Sequence, residues 1–231
     1  MYGQLSTSPV GFILGLLALI IAITVHEFAH AYAAERLGDP TPRLMGRLTL
    51  NPLAHLDRVG SAVFLFLLLS GSRFVFGWGK PVQFDPFNLR HPRRDGAIIS
   101  IAGPTANILT AIAASILLQL LFSFRVALLS NWIIGLLVYL LIGLLQPVII
   151  LNVVLAVFNL IPIHPLDGFK IVEGILPEEN ARQWKELEGY GMIFLILLIF
   201  PIFGSPSPIS RLISPVINFL LSLLLPTAPL I

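Results

Sequence analysis

Two histidines and a glutamate fall within five residues, His26-Glu27-Phe28-Ala29-His30. On an α-helix, residues i and i+4 lie on one face. His26 and His30 can therefore grip one metal ion, with Glu27 beside them as a general base. The setting sharpens this reading. The stretch lies late in an apolar run that starts near Pro9. A charged side chain at membrane depth costs about 2.5–3.5 kcal/mol on insertion scales, so such groups are rare there without a job. The plain alternative is a pair of buried histidines hydrogen-bonded to neighbouring helices, which leaves Glu27 unexplained. A catalytic zinc site calls for a third protein ligand.

Composition bounds what can surround the motif. The chain has 231 residues, 56% hydrophobic and 11% charged, against about 25% charged in soluble domains. Mean hydropathy is +0.91. Several stretches approach the roughly 20 apolar residues that span a hydrocarbon core. The expected class is an all-α polytopic membrane protein with about five to six transmembrane helices. There is no cysteine, which excludes disulfides and thiolate ligands, so any zinc is held by His, Asp or Glu. The net charge of +2 is small and dispersed, and nucleic acid is not an expected partner. Residues 1–8 lack a basic n-region, so the first apolar run is expected to stay as a membrane helix.

In chain order, Pro9 to about Leu37 reads as the first transmembrane helix, stopped by Gly38-Asp39-Pro40. A Pro- and Arg-containing stretch follows. Ser61–Leu69 is apolar but short for a span. The segment 77–88 could be extended, and a second span runs from Ala97 to about Phe124. Asn131–Pro162 exceeds one straight span, and Gln146-Pro147 is the natural place for a kink or break. His164–Glu188 reads as a polar loop. Tyr190–Phe203 and Ile209–Leu225 are two further apolar segments. The whole is expected to be a single domain, 1–231, with a core at about 9–176 and a C-terminal helical hairpin at about 190–226.

Asp167 is the best candidate for the third ligand. It follows Asn159-Leu160-Ile161-Pro162-Ile163-His164-Pro165-Leu166, where prolines break an apolar helix just as the carboxylate arrives. Non-helical backbone at membrane depth is tolerated where it lines a cavity or is buried in protein. An ordinary Pro-Leu-Asp-Gly turn at the membrane surface is the alternative. For Asp167 to reach His26 and His30, the two helices that precede these sites must run in the same direction, with Ala97–Phe124 antiparallel between them. Ser61–Leu69 should then be re-entrant or surface-lying rather than a full span. The stretch 38–96 holds Arg43, Arg47, Arg58, Arg73, Lys80, Arg90, Arg93 and Arg94. By the positive-inside rule it is cytoplasmic, which places the metal site toward that face.

Together, His26–His30, Gly103-Pro104-Thr105-Ala106-Asn107 and Asn159–Gly168 resemble the site-2 protease family of intramembrane zinc metalloproteases, in its compact prokaryotic branch without PDZ or CBS modules. The resemblance extends to Asn51–Gly60 and covers most of Val25–Gly168. It implies a zinc endopeptidase of a prokaryotic cell membrane that cuts transmembrane protein substrates. It also implies one Zn2+ per chain held by His26, His30 and Asp167, with Glu27 as base. Asn159 would help bind the substrate strand or stabilise the oxyanion. Asn152 could serve the oxyanion or could bond between helices. The segment 77–88 could add a strand to an unwound substrate, or be a surface loop. His55 and Asp57 read as loop-capping residues, and the role of His164 is open. The sequence leaves substrate identity, gating and self-association open. A metal or proton transporter using the same groups is the alternative of another class. A transporter should show ligands from two repeats, and no repeat is visible.

Overall fold

The fold comes from a computed structural model that describes residues 9–57, 59, 60, 62, 63, 66, 79–124, 132–199 and 207–226. Three long helices make the core: α1 Pro9–Leu37, then, after the short helix α2 Thr41–Leu44, α3 Pro92–Ser123 and α4 Trp132–Asn159. These three are long and apolar enough to cross a membrane. Two short helices follow, α5 Asp167–Ile175 and α6 Glu178–Glu186, and then α7 Gly191–Ile199 and α8 Pro208–Leu224. Among the described residues the only β pairing is an isolated antiparallel bridge between Leu56 and Gly79. The segment Ser61–Leu69 lies for the most part outside the described residues, as does the start of 77–88.

Small residues let the core helices approach. Ala18 on α1 and Ala111 on α3 are fully buried against Ile149 and Val153 of α4, and Ala22 on α1 is fully buried as well. Membrane helices lack a hydrophobic drive toward one another, so close backbone packing through small side chains is what holds them. The contacts also give the directions. Leu14 lies over Gly143, and Asn107 bridges Ala22 and Asn152, so α1 and α4 run parallel. On α3, Asn107 meets His26 while Ile99 meets His30, an order that reverses the sense of α1. This is the arrangement the ligand argument requires.

Two expectations need adjusting. Pro147 lies inside α4 without ending it. Proline removes one backbone donor, but neighbouring helices can make good the loss in a membrane bundle. The stretch read as a polar loop, His164–Glu188, holds the helices α5 and α6. They fold onto each other through Phe169, whose ring stacks on Trp184 at 5.2 Å and whose carbonyl accepts from Trp184 Nε1 at 3.0 Å.

The end of α1 is built as a junction. Gly38 has φ +105°, in the left-handed region that glycine enters without penalty. The Gly38 N–H donates to Glu35 O and the Asp39 N–H to Ala34 O, a Schellman closure. Asp39, fully buried, then accepts from Thr41 N and Oγ1, Asn88 Nδ2 and Asp85 N at 2.6–3.0 Å. One carboxylate thereby ties the end of α1 to the turn Pro86–Asn88. Burial alone would raise its pKa, but these hydrogen bonds outweigh it and hold the group below its ordinary value of 3.8. Its contribution to stability is full above that value and is lost as pH falls through the folded pKa. We predict that Asp39→Ala costs about 1–3 kcal/mol near pH 7. Thermal unfolding of wild type and variant should show the gap closing below about pH 4.

Candidate metal centre

Three ligand atoms converge between α1 and the first residue of α5. Asp167 Oδ2 lies 3.1 Å from His26 Nε2 and 3.3 Å from His30 Nε2, and the two nitrogens are 3.0 Å apart. Tetrahedral zinc with bonds of about 2.0–2.1 Å sets adjacent donors about 3.3 Å apart. The triangle has that size. Its chemistry fits as well: Asp167 Oδ2 is buried without a hydrogen-bond partner of its own. Both histidines are buried. No other group of three His, Asp or Glu side chains with this convergence occurs among the described residues.

The other ring nitrogens are already engaged. His30 Nδ1 donates to the Ile99 carbonyl at 2.7 Å, and His26 Nδ1 donates to Asn107 Oδ1 at 2.6 Å. A metal-bound histidine characteristically gives its second N–H to such an acceptor, which orients the ring and raises its basicity. Space for the rings comes from Gly103. A β-carbon there would stand 2.6 Å from His30 Cε1 and 2.7 Å from His26 Cε1.

Asp167 is delivered by the turn after α4. Gly168 lets α5 start directly against the end of α4, where a β-carbon would strike the Leu160 and Ile161 carbonyls. Ile161 and Leu166 of this turn pack against Leu195 of α7 and Ile209 of α8. The C-terminal helices thus brace the turn that presents Asp167.

Glu27 is only partly buried and faces the segment 79–85. Its Oε2 accepts from the Val82 N–H at 2.9 Å. That segment is fixed on either side. The Lys80 N–H donates to the His55 carbonyl at 2.8 Å, and the Asp85 N–H to Asp39.

Other expected residues lie apart from the triangle. Asn159 donates to Leu155 O of its own helix at 2.9 Å. Asn152 bonds Val148 O and Asn107, the interhelical alternative. His55 is fully buried and binds the Thr49 carbonyl, and Asp57 accepts from Gly60 N, both as loop ties. His164 lies 3.7 Å from Glu188 and edge-on to Phe169. Residue spacing alone assigns no site role to Gly103, Asn107, Asp39 or Val82. Of these, Asn107 had a usable signal. It is a polar residue in an apolar helix, four places after Gly103 and so on the same face.

The profile described as Peptidase family M50 matches residues 14–200. YwhC of Bacillus subtilis is 38% identical over 188 residues, 81% of this chain and 80% of the relative. Rip2 of Mycolicibacterium smegmatis is 31% identical over 191 residues, 82% and 68% of the two chains. Both relatives are provisionally named as zinc metalloproteases. No solved structure matches at comparable strength. The chain belongs to peptidase family M50, and it is an integral membrane protein with an all-helical fold.

Gly103→Ala should push the imidazoles aside. We expect zinc affinity, measured by chelator competition, to fall about tenfold or more, with little change in overall helicity.

Proposed function

We propose that this chain is an intramembrane zinc metalloendopeptidase that hydrolyses peptide bonds in or near the transmembrane segments of membrane-protein substrates. The observation that carries the reading is the triangle of His26, His30 and Asp167 with Glu27 one residue from a ligand. Family membership supports the same chemistry. One zinc per chain would be held by His26 Nε2, His30 Nε2 and Asp167 Oδ2. Bound zinc supplies Lewis acidity, polarising a peptide carbonyl and lowering the pKa of water.

The chain's own groups supply the rest. Glu27 has Oε2 committed to Val82, which leaves Oε1 to take a proton from the attacking water and hand it to the leaving amine. The extended segment 79–85 lies along Glu27 and is fixed by Lys80 and Asp85. An unwound substrate strand running beside it would pass near the base. Asn159, in the last turn of α4, is the candidate to hold that strand or a developing oxyanion. The whole chain acts as one domain, with the C-terminal pair of helices as its brace. The basic residues flanking α1 and α3 support a reading in which this end of the bundle faces the cytoplasm, in a prokaryotic cell membrane. A transporter would draw ligands from two repeats around a midplane site, whereas these come from α1 and the start of α5.

The test is co-reconstitution with a panel of single-span membrane proteins in proteoliposomes, with fragments read by mass spectrometry. Wild type should cut within or beside a span. Glu27→Gln should keep its zinc and lose about 10²–10⁴-fold in rate. Cleavage by a zinc-loaded Glu27→Gln at the wild-type rate would contradict the mechanism. Asp167→Ala should lose zinc, and unchanged affinity would overturn the ligand set.

A further inference from the structure

The metal triangle draws on α1 and α5, yet a chain of buried amides runs from it through α3 into α4. Asn107 and Asn152 are both fully buried. A side-chain amide accepts at one end and donates at the other, so its partners decide which way it faces. Asn152 has the Val148 carbonyl at 2.8 Å. A carbonyl only accepts, so Nδ2 lies there and Asn152 Oδ1 faces α3. The end of Asn107 that lies between this oxygen at 2.7 Å and the Ala22 carbonyl at 3.0 Å must then be Nδ2, two hydrogens for two acceptors. Asn107 Oδ1 is left facing His26 Nδ1 at 2.6 Å. Since that oxygen can only accept, the proton of the neutral ring sits on Nδ1 and the lone pair of Nε2 faces Asp167.

We infer that Asn107 and Asn152 form a relay that fixes the tautomer of His26, so that α4, which supplies no ligand, sets how well α1 binds metal. The inference rests on the metal-site reading and goes beyond it. His30 needs no such device, because the Ile99 backbone carbonyl that holds it has no second orientation. His26 is held by a side chain that could reverse. Reversal would bring an N–H against Nδ1, favour the proton on Nε2 and turn that proton toward the metal position. The two bonds to Ala22 and Asn152 oppose it. Asn107 and Asn152 are positioning residues here. Asn152 is fully buried, with Nδ2 turned to Val148 O and Oδ1 to Asn107.

The experiment measures zinc affinity by chelator competition, and the visible spectrum with Co2+ in place of zinc, for the purified full chain and four variants. Unfolding of each metal-free protein is recorded alongside to report the fold separately. Asn107→Leu keeps the volume and removes the acceptor; affinity should fall about 10–100-fold, with an altered Co2+ spectrum. Asn107→Asp keeps an acceptor toward His26 and should bind within about threefold of wild type. Asn152→Leu should weaken binding, and adding it to Asn107→Leu should cost nothing more, because the two act in series. A role in packing alone gives the opposite order, with Leu tolerated and Asp not. The relay is overturned if Asn107→Leu binds as wild type, if Asn107→Asp falls as far as Asn107→Leu, or if the two Leu effects add. Wild type that binds no zinc overturns the metal reading itself and the relay with it.

Discussion

Three lone-pair atoms are held within 3.3 Å of one another in a largely apolar bundle. Two imidazole nitrogens and a carboxylate oxygen do not gather this way by packing, because each loses its water and gains no donor. A cation makes the arrangement favourable, and the rest of the fold reads as the means of holding the three atoms until one arrives. The parallel course of α1 and α4 brings Asp167 to the histidines. The antiparallel α3 between them contributes Gly103 for space, and Ile99 and Asn107 for orientation.

Support and chemistry fall on different parts of the chain. The candidate metal ligands and Glu27, the proposed base, lie on α1 and at the start of α5. The braces lie elsewhere: the turn 160–166 against α7 and α8, and the segment 79–88 against Asp39 and His55. Asp39 is a stabilising group outside the reacting centre. It holds the far end of the segment whose Val82 N–H meets Glu27. Glu27 is thereby oriented by backbone that is itself pinned on both sides.

The sequence made the centre legible because its signals are short-range or compositional. The i, i+4 spacing of His26 and His30 needs only helix geometry. The spans need only apolar length, and α1 ends where Gly38 said it would. Asp167 was reachable because its approach to the histidines imposes a direction on whole helices. What stayed hidden depends on contacts between distant residues. Gly103 looks like any membrane-helix glycine until two imidazoles are seen against it. Asp39 reads as a helix stop, because its partners Asp85 and Asn88 lie 46 and 49 residues away. The helices α5 and α6 read as a loop in the sequence because their surface is so highly charged. Their apolar contact, Phe169 on Trp184, spans 15 residues. At Pro147, where local chemistry predicts a kink or a break, the helix continues, so the break is excluded.

X-ray absorption of the purified, zinc-loaded protein tests the central claim most directly, because it reads the ligands without a substrate. The expected result is one zinc per chain, with two imidazoles and oxygen donors at about 2.0–2.1 Å. A zinc shell with three imidazoles or none, or zinc bound at the same strength when both His26 and His30 are replaced by alanine, would contradict it.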